Sequence, residues 1–488
     1  MKIQYIFLWI LSNIILIASI WVGDLGLGEF KILVCIILMV IIYLISLSEL
    51  KRTNGEEPIL SDGRFYFISF TTLYSVWVPI LSILTGISTK PFLPLKISKA
   101  IPYGVEEMIK TCGTSITMLM GISLGIFIVN KLSMKDKLKR VALRNENNVY
   151  HKKWFYIMIL STFIFLYPFL NGGFEAMKSG GSILDVEQVS TMFSGNIIMT
   201  AIGFLFSSEV MTISTAAFLM YYINSNNSVR KKALVCVLLL CIHTFIALAT
   251  TRSARFVIIL VCLFASTMAN KQIRSHPLFK KILKLILIFM VLIYFLDYII
   301  VNEVREGFKA MEESTIVEMM RRFDGTGPYD ALFRAVDSSP DISMIQNIPF
   351  SFLRPIPIVG DIILSIIGMN TNYSPLYGWM SNQYIEIYSS GGGLAYMPQI
   401  EAFLTLGYVG CFLYGLVYGL IFGKKRKGIG NIIIIAMGLM LARGSFGVIA
   451  SLSIPYIGIC YLFYEKFLFR ISLKRKVTKA KSNTILLE

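Results

Sequence analysis

Charge is scarce in this sequence. Asp, Glu, Lys and Arg make up 15% of its 488 residues while 55% are hydrophobic, and a chain so composed cannot cover itself with polar groups as an ordinary water-soluble globule does. Histidine is rarer still, with His151, His243 and His276 the three present. The seven cysteines contain no C-x-x-C pair, and Cys35, Cys236, Cys241, Cys262, Cys411 and Cys460 fall inside apolar runs, where a thiol serves as a small apolar side chain. Neither a disulfide framework nor a metal site is implied. No small-residue cleavage site follows the apolar stretch 3–22, which therefore reads as a retained helix rather than a signal peptide. Internal repeats are missing too, which weighs against transporter architectures built from two related halves.

What is abundant is apolar run. Mean hydropathy is +0.68, and segments near the roughly 20 residues needed to cross ~30 Å of hydrocarbon recur along the chain. There are twelve, at 3–22, 30–47, 65–86, 107–129, 154–170, 196–223, 233–249, 255–269, 282–301, 396–422, 431–450 and 452–469. The expected fold is an all-α polytopic membrane protein of about 12 transmembrane helices. Alternating sides puts most of the 46 Lys and Arg on the face holding 47–64, 131–153, 230–232, 271–284, 424–427 and the tail. The positive-inside rule makes that face, and both termini, cytoplasmic. The formal net charge of +17 is then largely a topology signal, and nucleic acid drops out as a partner. The expected domains are a membrane domain over residues 1–301, a mostly helical external loop over 302–395, a second membrane domain over 396–469 and a basic cytoplasmic tail over 470–488.

On the external side the cations change type. From residue 250 onward Arg252, Arg255, Arg305, Arg321, Arg322, Arg334, Arg354 and Arg443 face a single lysine, Lys309. A guanidinium presents a planar fork that grips phosphate or carboxylate in two places, whereas an ammonium is a mobile point charge. Arg252 and Arg255, in "ATTRSARF", lie three apart where the eighth run begins; on one helix face beside a helix N-terminus they would make a two-pronged anion clamp. Arg321, Arg322 and Arg354 join them as candidate diphosphate ligands. The plainer reading is pairing with the acids of the same segment, Asp330 and Asp337 among them, or snorkelling to headgroups; Arg321 and Arg322 would also suit the last turn of a short helix capped at Gly325. Arg443 is embedded in the eleventh run, and Glu209 and Asp297 are similarly placed.

The stretch "GGGLAYMPQIEAFLTLGYVG" enters the tenth run, with Pro398 suited to a first helical turn and Glu401 about one turn inside. A carboxyl at that depth is costly unless paired or protonated, which makes Glu401 a candidate for proton transfer. Gly407, Gly410, Gly415, Gly419 and Gly423 read as faces for close helix contact. Tyr373, Trp379, Tyr388 and Tyr396 could stack on sugar rings, and interfacial aromatic belts account for them equally well.

These features resemble the Wzy-type O-antigen and capsule repeat-unit polymerases. The match lies in the many-spanning chain, the arginine pair of "TTRSARF", a large external loop before the last three helices, the segment around Glu401, and "ARGSF" at Arg443. The resemblance implies the GT-C class B glycosyltransferase fold in a bacterial cytoplasmic (inner) membrane. It also implies a metal-independent glycosyl transfer, with no cofactor, that joins undecaprenyl-diphosphate-linked oligosaccharides and releases undecaprenyl diphosphate. Glu401 would be the base and Arg443 its catalytic companion; membrane lipids and a chain-length-regulating co-polymerase would be partners. Two rivals stay open: a flippase or transporter of lipid-linked sugars, and an O-antigen ligase, which the lack of an external histidine weakens.

Overall fold

The computed structural model describes residues 28–84, 104–133, 147–168, 202–203, 205–250, 253–281, 284, 288, 326–353, 359–369, 374–383, 397–442, 444, 449 and 452–469. Among these residues the fold is helical, with no strand. In chain order the helices are α1 Gly28–Asn54, α2 Gly63–Leu84, α3 Val105–Ser133, α4 Asn147–Pro168, α5 Ser208–Ile223, α6 Val229–Thr250, α7 Ser253–Ala269, α8 Lys271–Ser275, α9 Thr326–Asp337, α10 Asn347–Leu353, α11 Val359–Ile366, α12 Pro375–Gln383, α13 Pro398–Phe422, α14 Ile429–Ala442 and the π-wound α15 Ile454–Leu468. Every apolar run that falls among the described residues carries a helix. Four described helices are long and apolar enough to cross a membrane: residues 30–54, 63–83, 105–132 and 398–422. The runs at 3–22 and 282–301 lie outside the described residues or nearly so.

The chain folds as two compact units, one of residues 1–140, 310–425 and 437–451, the other of 141–309, 426–436 and 452–488. In the first, α3 meets α13 backbone to backbone. A Cβ at Gly121 would overlap the Phe412 carbonyl, and one at Gly415 the Met118 carbonyl; at Gly125 it would lie 2.6 Å from the Leu416 carbonyl. Glycine is required at these positions because the helices have no room for any side chain, which is how helices gain van der Waals contact where lipid removes the hydrophobic incentive to associate.

One end of this unit is tied by a buried guanidinium. Arg64, fully shielded from solvent, donates to Asp62 (Nη2–Oδ2 2.6 Å), Asn130 (2.8 Å), Thr53 (3.1 Å), Asn54 (3.0 Å) and the Gly423 carbonyl (3.2 Å). The C-terminal ends of α1, α3 and α13 and the start of α2 therefore share one cation. The sequence treats Arg64 as a topology charge; its fork instead satisfies acceptors from four helix ends.

The second unit shows a similar economy. Lys232 Nζ reaches the Ile223 carbonyl at 2.7 Å and Lys153 Nζ the Phe469 carbonyl at 3.0 Å, so cations complete the C-terminal ends of α5 and α15, where carbonyls lack helical partners. Tyr150 stacks on Tyr221 with centroids 5.4 Å apart, Trp154 is fully buried beside Tyr464 and Phe469, and His243 bonds Thr215 at 2.8 Å. Each unit thus gathers at one end the helix termini that alternation assigns to one side.

Removing the Arg64 fork strands the Asp62 carboxyl in a closed site, a defect that costs about 3–5 kcal/mol when one partner of a buried pair is lost. Arg64→Ala is expected to lower the thermal unfolding midpoint of the detergent-solubilised protein markedly, far more than Lys51→Ala on the exposed side of α1. Equal midpoints for the two variants would show that the network contributes nothing.

Candidate functional site

Pro398 opens α13 at its first turn as the sequence anticipates, but the helix does not run straight on. Leu406 (φ −143°, ψ 23°) and Gly407 (φ 61°, ψ −141°) leave helical geometry, and Gly407 occupies a region that side chains disfavour. A straight helix would separate residues 399 and 411 by about 18 Å. Instead the Cys411 thiol lies 3.8 Å from the Gln399 carbonyl, and a Cβ at Gly410 would overlap the Ala402 carbonyl. A short arm, 398–405, is folded back against a long arm, 408–422. Glu401 stands in the first turn as expected, but the run 396–422 is not one straight helix: Gly407, read from sequence as a helix-contact glycine, is the hinge of a hairpin and not part of the seam that Gly415 and Gly419 form.

The short arm is polar where it is most enclosed. Glu401 and Gln399 are each 1% exposed. The Gln399 amide nitrogen donates to Ser75 of α2 (3.3 Å) and Ser115 of α3 (3.4 Å), pinning the arm between two long helices. Its amide oxygen is buried with no hydrogen-bond partner among the described residues. The Glu401 carboxyl lies beside the phenols of Tyr414 and Tyr418 on the long arm, and Thr405 closes the arm with a 2.7 Å bond to the Glu401 carbonyl. Residues thirteen and more positions apart come together through the reversal alone.

Over this hairpin lies a stretch of the segment that the sequence assigns to the external loop. In α9, Tyr329, Leu332 and Ala335 are wholly buried, with the Tyr329 hydroxyl 4.0 Å from the Cys112 thiol of α3. Asp330 and Arg334, one turn apart, form a buried ion pair at 3.5 Å. Beyond α9 the Asp341 N–H donates to the Leu404 carbonyl at 2.6 Å, and Pro340 sits 3.6 Å from where a Gly407 Cβ would be. The hinge is therefore covered by the chain that follows α9.

The second unit holds Arg255. Its helix begins at Ser253, so Arg255 stands in the first turn, and its Nη2 meets Glu209 Oε1 at 2.7 Å. Glu209 occupies the first turn of α5, which Ser207 caps, and its other oxygen accepts from Ser208 at 3.0 Å. Tyr456 and Cys460 of α15 are close enough to feel this pair.

Of the candidate catalytic, diphosphate-binding and sugar-binding residues, Glu401, Arg255 and Trp379 are described, Trp379 half-buried on α12. Arg252, Arg321, Arg322, Arg354, Tyr373, Tyr388, Tyr396 and Arg443 lie outside the described residues. Arg334 pairs with Asp330 of its own segment, as the acid-pairing reading has it, whereas Arg255 pairs with an acid outside that segment, Glu209. Sequence reasoning missed Gln399 and the Tyr414–Tyr418 pair. Gln399 carried a usable signal, a second polar residue two positions from Glu401 in an apolar run; the tyrosines carried none, because their approach to Glu401 depends on the reversal. Among the described residues no three His, Cys, Asp or Glu side chains converge as a metal site would need.

The family model described as O-antigen polysaccharide polymerase Wzy matches residues 1–474. No curated protein and no solved structure gives a match.

A methyl group at the hinge tests the hairpin. Gly407→Ala brings its Cβ into ordinary contact with Pro340 but into an unfavourable backbone, a strain of about 1–3 kcal/mol. Polymer yield in cells is expected to fall while the amount of membrane-inserted protein holds. Unchanged yield would mean that the reversal is not needed for the site to work.

Proposed function

The chain belongs to the O-antigen polysaccharide polymerase Wzy family, and we propose that it joins undecaprenyl-diphosphate-linked oligosaccharide repeat units on the outer face of the bacterial cytoplasmic membrane. The reaction is a glycosyl transfer. A hydroxyl at the non-reducing end of the acceptor attacks the anomeric carbon of the donor, the bond from that carbon to the diphosphate oxygen breaks, and undecaprenyl diphosphate leaves with the electron pair. Glu401 takes the hydroxyl proton. Arg252 and Arg255, with Arg443 or the loop arginines Arg321, Arg322 and Arg354, balance the charge that builds on the leaving group, the kind of preorganised stabilisation that commonly carries most of a rate enhancement. Tyr373, Trp379, Tyr388 and Tyr396 offer faces to sugar rings.

The observation that carries the reading is the enclosure of Glu401. A carboxyl that is 1% exposed on a folded-back arm, beside two phenols and under the chain that follows α9, is an expensive arrangement for a chain to maintain without a chemical use. Glu209 supports the assignment of Arg255 as an orienting partner, because a guanidinium held in one plane loses less freedom when it grips a second acceptor. The family match supports the substrate class. A second reading is favoured by the same burial: the carboxyl could be a tether between the two arms of α13, with the base elsewhere.

The decisive assay supplies purified protein with lipid-diphosphate oligosaccharide and resolves the products on a gel. The wild-type chain is expected to give a ladder, with or without EDTA. Glu401→Gln is expected to lower turnover by roughly 100-fold or more, the usual scale for a lost general base, with little change in KM and in the unfolding midpoint; a fall in the midpoint that matches the fall in turnover would make Glu401 a tether. Arg255→Lys keeps the charge opposite Glu209 and loses the fork, and should cost at least about tenfold in extension; full activity would remove Arg255 from the diphosphate site.

A further inference from the structure

The segment after α9 is built for something other than water. Residues 342–369 contain only two charged side chains, Arg354 and Asp361, although the sequence assigns them to an aqueous loop. Among the residues whose side chains are described, most isoleucines point outward, while Phe350 and Leu364 are buried. Ile342 is 67% exposed, Ile345 48%, Phe352 44%, Ile362 53%, Ile366 77% and Ile367 50%. In α11 only one described apolar side chain, Leu364, is buried, at 0% exposed, so the helix is anchored through Leu364 and shows isoleucine to its surroundings. Ser343, Gln346 and Ser365 are exposed among them, the polar minority expected of a helix lying at an interface rather than in a core.

The position of this array identifies what covers it. The Asp341 N–H is bonded to the Leu404 carbonyl and Pro340 rests on the Gly407 hinge, so residue 342 starts at the tip of the α13 hairpin. From that same tip the long arm carries its own outward stripe, Val409, Leu413, Val417 and Ile421, at 64%, 42%, 42% and 41% exposed. The spacing of four residues makes this one helix face, exposed and wholly apolar, as a face turned to lipid is. The described apolar surface of 342–353 and 359–367 starts from the same tip as this stripe.

We infer that residues 342–353 and 359–367 form an interfacial element that lies on the bilayer, with Ile342, Ile345, Ile362 and Ile366 dipping into hydrocarbon at the hinge end of α13. Its occupant is the acyl-chain region of the membrane itself. The element holds the cover over the hinge at the depth where a lipid-borne substrate would present its head group. This assignment rests on the chain spanning a membrane and not on the proposed reaction.

Fluorescence quenching in vesicles tests it. The full-length chain, carrying Cys241→Ser because Cys241 is the exposed one of the seven cysteines, is labelled with nitrobenzoxadiazole at Ile362→Cys or Ile366→Cys. It is reconstituted in phosphatidylethanolamine–phosphatidylglycerol vesicles. Val409→Cys serves as the lipid reference and Asp337→Cys as the aqueous one. Both isoleucine positions are expected to be quenched by nitroxide-bearing lipid to within about twofold of position 409, as for side chains seated at the acyl boundary, and to resist a water-soluble nickel chelate relative to position 337. Quenching like that of position 337 overturns the proposal. Protection from both quenchers overturns it too, since a second copy of the chain or another protein would then cover the face.

Discussion

The approach of α3 to the long arm of α13 at backbone distance is the constraint on which the Glu401 site depends. Gly121 and Gly125 on one helix and Gly415 and Gly419 on the other leave no space for a Cβ. In a bilayer, apolar side chains gain nothing by leaving lipid for a neighbouring helix, so association has to come from close van der Waals contact over a long seam. Once the long arm is fixed in this way, the short arm has only one place to return to. The Gly407 reversal sends it back along the long arm, and Gln399 fastens it to Ser75 and Ser115. Glu401 is thereby enclosed by elements held independently of it.

Cations at one end of each unit serve two physical ends at once. A lysine or arginine beyond a hydrophobic run holds its loop on one side of a membrane. The same side chain can also satisfy carbonyls that a helix C-terminus leaves unbonded, as Lys232 does for α5 and Lys153 for α15. Arg64 takes this furthest, since its fork binds acceptors from the ends of three helices as well as Asp62. Charge in this chain is scarce, and a large share of the described charge away from exposed loops is committed to closing helix ends.

Helix positions were legible in the sequence because they follow from a single quantity, the length of an apolar run. The runs 30–47, 65–86 and 107–129 reappear as α1, α2 and α3, with boundaries shifted where polar residues such as Lys51, Arg52 and Asn54 continue the helix past the apolar stretch. The hairpin was not legible. Five glycines follow Pro398 within one apolar segment, and nothing in composition separates the one at positive φ from those that seat another helix. The pairing of Arg255 with Glu209 was equally hidden, because 46 residues separate them and only the fold sets two helix first turns side by side. Asp330 and Arg334 could be read directly, being one helical turn apart. The apolar character of 342–367 stood in the composition, and its placement after a long polar stretch masked it.

The Arg255–Glu209 pair bears on how an anion site can persist at the edge of hydrocarbon. An arginine kept there alone would carry the full cost of a poorly solvated charge whenever its ligand was absent. A carboxylate at 2.7 Å removes much of that cost, and it would defeat the site only if it occupied the whole fork. Guanidinium offers five donors in a plane, more than a single carboxylate can engage. Glu209 is itself held by Ser208 and the first turn of α5, so it does not follow the arginine if an incoming diphosphate draws it away. On the proposed diphosphate role of Arg255, the attraction of a multiply charged ligand over a single carboxylate would decide the competition, and the resident carboxylate would return the arginine to its place when the ligand departs.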